Sequence, residues 1–206
     1  MLGGKPLIAW TIEAALESDC YDRVIVTSDI DEVTRLASQM GTSCWSRPPV
    51  PDLQPDIEWV TEIMNAWPSF DTFSILRPTS PFRSADTIRE AWLRWVQVMH
   101  EVDSLRTVRR VSEHPYKMWD ETGPLYQDIN NWDGIPKDQP WNLPTQSLPP
   151  FYIQTAGLEI AHTRALPHSI SGDRVAPFII EGPAALDINT LQDMWVAEQY
   201  VREGLV

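Results

Sequence analysis

Apolar residues occur along this chain in two kinds of block, and the two kinds alternate. Behind Pro6, which suits the first turn of a helix, Ile8, Ala9, Ile12, Ala15 and Leu16 recur at helical spacing and predict an amphipathic helix to about Leu16. Arg23-Val24-Ile25-Val26-Thr27-Ser28 is a short run rich in β-branched residues, which predicts a buried strand. A second helix is expected from Asp31 to about Gln39, stopped by Gly41. Arg47-Pro48-Pro49-Val50-Pro51 can only be loop, and Asp56 then reads as the cap of a helix bearing Ile57, Val60, Ile63 and Met64. Thr72-Phe73-Ser74-Ile75-Leu76 predicts another buried strand, ended by Pro78 and Pro81. Ser84 caps a long helix with Ile88, Ala91, Trp92, Trp95, Val96 and Met99 on its inner face.

From about residue 109 to 150 helical periodicity disappears, while Pro, Trp, Gly and Asn accumulate, as in Gly134-Ile135-Pro136 and Gln139-Pro140-Trp141. Short strands and ordered loops are expected there, with aromatics suited to a protein contact. The alternation resumes with strands at 152–161 and 175–180 and a closing helix from about Leu191. Strands alternating with helices predict an α/β fold with a mainly parallel sheet in one domain, residues 1–206. In such sheets ligands sit beyond the carboxyl ends of the strands, which directs attention to Ser28-Asp29 and to the loop from Arg77 to Arg83.

Charge narrows the function. A formal net charge of −13 argues against nucleic acid, which demands clustered Lys and Arg, but leaves room for a small anion held by a few local cations. Cys20 and Cys44 lack metal spacing and read as plain thiols. No stretch approaches the roughly 18 apolar residues of a membrane span, and the first residues lack the pattern of a signal peptide, so a soluble cytoplasmic protein is expected.

Four stretches, in order, resemble the acylneuraminate cytidylyltransferases. They are Gly4-Lys5-Pro6-Leu7-Ile8-Ala9-Trp10-Thr11-Ile12, then Leu76-Arg77-Pro78-Thr79-Ser80-Pro81-Phe82-Arg83, then His114-Pro115-Tyr116-Lys117-Met118-Trp119. The fourth runs from Ser171-Gly172 through Asp187-Ile188-Asn189 to Ala197-Glu198. The resemblance implies a Rossmann-like nucleotidyltransferase sheet with flanking helices and a small β-rich dimerisation excursion at 109–150. It also implies a homodimer and a reaction in which CTP and a 2-keto sugar acid give the CMP-sugar and pyrophosphate, assisted by Mg²⁺. Catalysis of that kind is mostly positioning and electrostatic stabilisation.

On the same ground Asp187 is the metal candidate, with Asn189 beside it where the family often has a second Asp, so one anionic ligand becomes a neutral amide. Arg83 is expected to grip a phosphate or carboxylate, and Arg77, standing where the family pattern carries Gln, to face an anionic substrate. Lys117 is expected to pair with the sugar carboxylate, and Gln154 and Thr155 to hydrogen-bond the ligand, Thr155 replacing a family Asn. Arg47, Ser28 and Asp29 fall on the nucleotide side, while His114 is expected to be structural.

The resemblance further implies a first strand and an Arg/Gly/Ser/Lys-rich triphosphate loop ahead of Leu2-Gly3-Gly4-Lys5, and nothing within the 206 residues replaces them. Two expectations follow. Either Met1 is internal to a longer enzyme, or the chain is a non-catalytic dimerising or sugar-acid-binding remnant, in keeping with the altered Thr145, Thr155 and Asn189, and on both grounds the 206 residues by themselves are expected to be weakly active or inactive. A nucleotidyltransferase for a different nucleotide or sugar is the nearer alternative. The absence of a central strand would leave sheet edges exposed.

Overall fold

The computed structural model describes residues 1–49, 55–121, 123–124 and 139–206. Five helices and six strands alternate through it. They are α1 (Leu7–Ser18), β1 (Ile25–Ser28), α2 (Asp31–Gln39), β2 (Ser43–Ser46), α3 (Asp56–Ala66) and β3 (Thr72–Ile75). There follow α4 (Ala85–Val98), β4 (Ser104–Arg110), β5 (Tyr152–His162), β6 (Val175–Ile179) and α5 (Leu191–Arg202).

The strands form two sheets. β1 and β2 pair in parallel, and the larger sheet has the order β3-β5-β4-β6. Within it β5 runs antiparallel to both β3 and β4, while β4 and β6 are parallel. Three of its four strands therefore point one way and β5 alone is reversed. That reversal brings the first residues of β5 to the same end of the sheet as the last residues of β3, β4 and β6.

Packing explains which elements hold. Trp95, Ile88 and Ala91 on α4 pack with Leu105 on β4 and Leu158 and Ile160 on β5, all essentially without solvent exposure. Each large apolar side chain so buried contributes about 1.5–3 kcal/mol. Ser84 caps α4 by accepting from the Thr87 amide, as its position before the apolar run predicts. Asp56, expected as a cap, is instead the first helical residue of α3. Pro55 precedes it, and the Asp56 carboxylate accepts from the Trp59 indole and pairs with Arg77. Strand β2 is an addition to the sequence reading: Ser43–Ser46 is too short and too polar to stand out in the pattern, and pairing with β1 creates it.

Among the described residues β1 is paired only with β2, and β3 only with β5, so each keeps one open edge. Both edges line a single crevice of about 510 Å³ that runs between the two sheets, floored by Ile8, Thr11, Ile12 and Ala15 of α1. The side-chain hydroxyls of Thr11 and Thr27 and the Nε of Arg47 are buried beside it without hydrogen-bond partners among the described residues. Unpaired polar groups of this kind are costly unless an occupant satisfies them.

Where residues 109–150 are described, single-turn 3-10 helices carry the chain at Pro115–Lys117, Pro140–Asn142 and Thr145–Ser147, with an isolated bridge between Trp119 and Pro124. The Gly134-Ile135-Pro136 stretch, and the loop expected beyond Pro49, lie outside the described residues. His114 is structural: its Nδ1 accepts from the Tyr116 amide and its Nε2 lies 2.9 Å from the Pro149 carbonyl oxygen. Among the described residues no helix is long and apolar enough to cross a membrane.

Candidate active site

Nearly all the residues singled out in the sequence gather at one end of the sheets, where β1, β3, β4 and β6 finish and β5 begins. They divide between two concavities. The first is the mouth of the crevice, lined by Asp29 after β1, Arg47 after β2 and Arg77 after β3. Ser28 closes its β1 side from within the core: its hydroxyl accepts from the Ile30 amide, and its carbonyl accepts from the Arg47 amide at 3.3 Å. The nucleotide-side candidates thus stand together, and Arg77, expected on the sugar side, stands with them.

Arg77 is already engaged. Its guanidinium bridges Asp56 and Glu159, and Glu159, only 2% exposed, also pairs with Arg106 at 2.6 Å. Burial works against the charge on Arg77, but the two carboxylates outweigh it and hold its pKa above the ordinary value. The two arginines offset the cost of burying the Glu159 carboxylate.

The second concavity, about 650 Å³, lies between the start of β5 and the segment joining β6 to α5. Gln154 and Thr155 belong to one wall and Asp187, Asn189 and Asp193 to the other. Gln154 is exposed, with its side-chain amide open to a ligand. Thr155 is buried, and its hydroxyl lies 2.8 Å from that of Thr107, an internal contact that a ligand would have to displace.

Asp187 is not a helix cap. That role belongs to Thr190 and Asp193, which form a reciprocal capping box on α5: the Thr190 hydroxyl accepts from the Asp193 amide, and the Asp193 carboxylate accepts from the Thr190 amide at 2.8 Å. Asp187 Oδ2 accepts from Asn189 Nδ2 at 2.9 Å, whereas its Oδ1 is buried without a hydrogen-bond partner among the described residues. A hard cation is the kind of group that completes such an oxygen. No cluster of three or more His, Cys, Asp or Glu side chains among the described residues could hold a metal alone. Asp187 would hold such a cation only together with other donors, such as the Asn189 amide oxygen, water or phosphate oxygens.

Two candidates lie elsewhere. Arg83 is 2% exposed and lines neither concavity; its Nη1 donates to the Gly157 carbonyl, while Nε and Nη2 have no partners among the described residues. Burial depresses its pKa to about 10, a small offset coming from Tyr21. In this position Arg83 is tied by one nitrogen to the middle of β5 at Gly157. Lys117 is exposed at the end of its 3-10 turn and lines neither concavity.

One backbone contact joins the halves of the site. The Ile188 amide donates to the Thr79 carbonyl at 2.7 Å, tying the Asp187 segment to the loop that follows Arg77. Sequence reasoning passed over Asp193, Glu159 and the pair Arg109-Arg110, which also line or support these concavities. Two consecutive arginines at the end of β4, a strand that the sequence pattern did not predict, would have been the signal for the last.

Similarity to known proteins runs along the whole chain. The profile of a family described as "Cytidylyltransferase" matches residues 1–115. The chain is 34% identical over 112 residues to an N-acylneuraminate cytidylyltransferase of Escherichia coli, covering 53% of this chain and 26% of that protein. It is 40% identical over 100 residues to a CMP-N,N'-diacetyllegionaminic acid synthase of Legionella pneumophila, covering 44% of this chain and 42% of that one. The chain thus spans between a quarter and a half of the length of these relatives. A solved structure of a CMP:2-keto-3-deoxy-manno-octonic acid synthetase complexed with CTP is similar in fold, with a TM-score of 0.68 at 13% identity, covering 99% of this chain and 90% of that one.

Proposed function

The chain belongs to the cytidylyltransferase family, and on that premise we propose that it transfers CMP from CTP to a 2-keto sugar acid of the nonulosonate type. The anomeric oxygen of the acid forms a bond to the α-phosphorus as the bond from that phosphorus to the bridging β-phosphate oxygen breaks. Pyrophosphate leaves, and the anomeric proton passes to solvent. The observation that carries this reading is the pairing of two concavities at one sheet end, stitched by the Ile188–Thr79 hydrogen bond. Such an arrangement suits a reaction between two bound molecules, because holding both in register removes much of the entropic barrier.

In this reading the nucleotide lies toward Ser28, Asp29 and Arg47, and the sugar acid lies in the second concavity against Gln154. Gln154 offers both a donor and an acceptor to sugar hydroxyls. Mg²⁺ held at Asp187 and Asn189 would draw charge off the phosphate oxygens. Arg77 acts mainly by fixing the loop of Pro78 and Thr79 through its two carboxylate partners. A homodimer assembled through the 109–150 excursion is supported by Met118 and Trp119, which are exposed there.

The test is pyrophosphate release from CTP with N-acetylneuraminate, a diacetyllegionaminate and a 3-deoxy-octulosonate, each against a blank without acid. Acid-dependent release with at least one is expected. Acid binding without release from CTP or any other nucleoside triphosphate would instead support the sugar-acid-binding alternative.

A further inference from the structure

The second concavity has walls of opposite charge. Glu181, Asp187 and Asp193 stand on the side of the β6–α5 segment, and Arg109 and Arg110 stand at the end of β4. Neither arginine has an ion pair among the described residues, whereas Arg77, Arg89, Arg106, Arg164 and Arg174 each hold a carboxylate. Arg109 Nη1 reaches only the Arg110 carbonyl, at 3.4 Å. Its field extends to Glu113, whose carboxyl is held below the usual range chiefly by the Ser112 hydroxyl.

Strand geometry separates the two arginines, since successive side chains point to opposite faces. Arg109 is opposite Ile153 in the ladder, and the Thr107 and Thr155 hydroxyls touch at 2.8 Å. Arg109 and Ile153 therefore share one face, and both line the concavity together with Gln154 and Thr155. Arg110, on the other face beside Tyr152, also lines the concavity but is exposed, whereas Arg109 is partly shielded. Arg109 is half-buried, in a position where a guanidinium can meet a carboxylate through two parallel hydrogen bonds.

We propose that Arg109 is the carboxylate receptor of this concavity and sets its preference for acidic over neutral sugars. The inference deepens the sugar-acid reading and rests on it. With an anion at Arg109 and hydroxyls against Gln154, a sugar acid spans from the cationic wall to the carboxylates, and Arg109, without an ion pair among the described residues, gains a carboxylate partner when the site is filled. Lys117, outside the concavity, is not needed for that contact.

The experiment uses the full chain and two readouts, binding of N-acetylneuraminate and of its methyl ester by calorimetry, and steady-state turnover with CTP. The variants are Arg109→Gln, Arg109→Lys and Arg110→Gln, each checked for an unchanged thermal transition. Arg109→Gln is expected to weaken acid binding, and to raise KM, by about ten- to a hundredfold, with a smaller effect on kcat. It should also abolish the preference for acid over ester. Arg109→Lys should restore part of it, and Arg110→Gln should weaken acid binding by less than Arg109→Gln does. If the folded Arg109→Gln variant binds acid within twofold of the parent, the inference is overturned while the sugar-acid reading stands. If the parent binds acid but releases no pyrophosphate, the catalytic reading fails while Arg109 keeps its role. A parent that binds neither acid nor ester overturns both. Loss of pyrophosphate inhibition in Arg109→Gln without loss of acid affinity would assign the arginine to the leaving group, and so also overturn it.

Discussion

The amide of Ile188 lies 2.7 Å from the carbonyl oxygen of Thr79 and donates to it. Through this bond the segment bearing Asp187 is registered against the loop bearing Arg77, although the two are far apart in sequence. Ile188 is buried with Phe82, Leu2 and Ala197, so the contact is shielded from water and the loop has little freedom to drift. A displacement of either segment would therefore disturb both concavities together.

Asp187→Ala should separate chemistry from folding. The capping of α5 resides in Thr190 and Asp193, so the thermal transition should change by less than about 0.5 kcal/mol of stability. Pyrophosphate release should fall at least about a hundredfold, the order seen when a main electrostatic stabiliser of a transition state is removed. A large loss of stability would return Asp187 to a structural role.

Thr190→Ala removes one half of the capping box. A cost of about 1 kcal/mol is expected from urea unfolding, with acid binding retained because Thr190 does not line the concavity. An unchanged midpoint would show that the Asp193 half suffices.

Gly172→Ala should be more damaging than its size suggests. Gly172 has φ +67°, and an added Cβ would lie 2.4 Å from the Asp103 Cβ. Asp103 accepts from the Asp173 and Arg174 amides, so the loop cannot easily move aside. A loss of about 1–3 kcal/mol by urea denaturation is expected from the strain and the clash.

The same turn supplies a pH dependence. The Arg174 amide, above all, and further hydrogen bonding from Asp173 and Arg174 hold the Asp103 carboxyl below its ordinary 3.8. A carboxyl whose pKa is depressed on folding binds fewer protons in the native state. Its contribution is complete above about pH 5, begins to fade as the unfolded form protonates near 3.8, and is lost as the pH falls through the folded value. The stability difference between the parent and Asp103→Asn should therefore be constant from pH 7 to 5 and shrink below 4. A difference that grew on acidification would contradict this.

Arg77→Met tests the buried network. Glu159, at 2% exposure, would keep Arg106 alone, and a loss of about 1–3 kcal/mol is expected on unfolding. Combining it with Glu159→Leu should recover part of the loss, since the uncompensated buried carboxylate is then gone. Recovery of nothing would mean that the two side chains do not act as a pair.

Periodicity and punctuation in the sequence by themselves determined the helices and the strands β1, β3, β5 and β6, but not β2 or β4: Ser84 before an apolar run, Thr190 before α5, and the β-branched run of β1 are local signals, and helix and strand formation respond to them locally. The four ordered motifs likewise pointed to the family, because short side-chain patterns survive where overall identity is low. What only the tertiary structure decided is which edges pair and which side chains meet. The reversal of β5, the open crevice between β1 and β3, the burial of Arg83, the capture of Arg77 by Glu159 and the exposure of Arg109 to a cavity all depend on contacts between distant segments. An arginine in the sequence carries the same charge in every one of these settings. Its neighbours across the sheet determine whether that charge braces the fold, is neutralised within it, or is left free for a ligand.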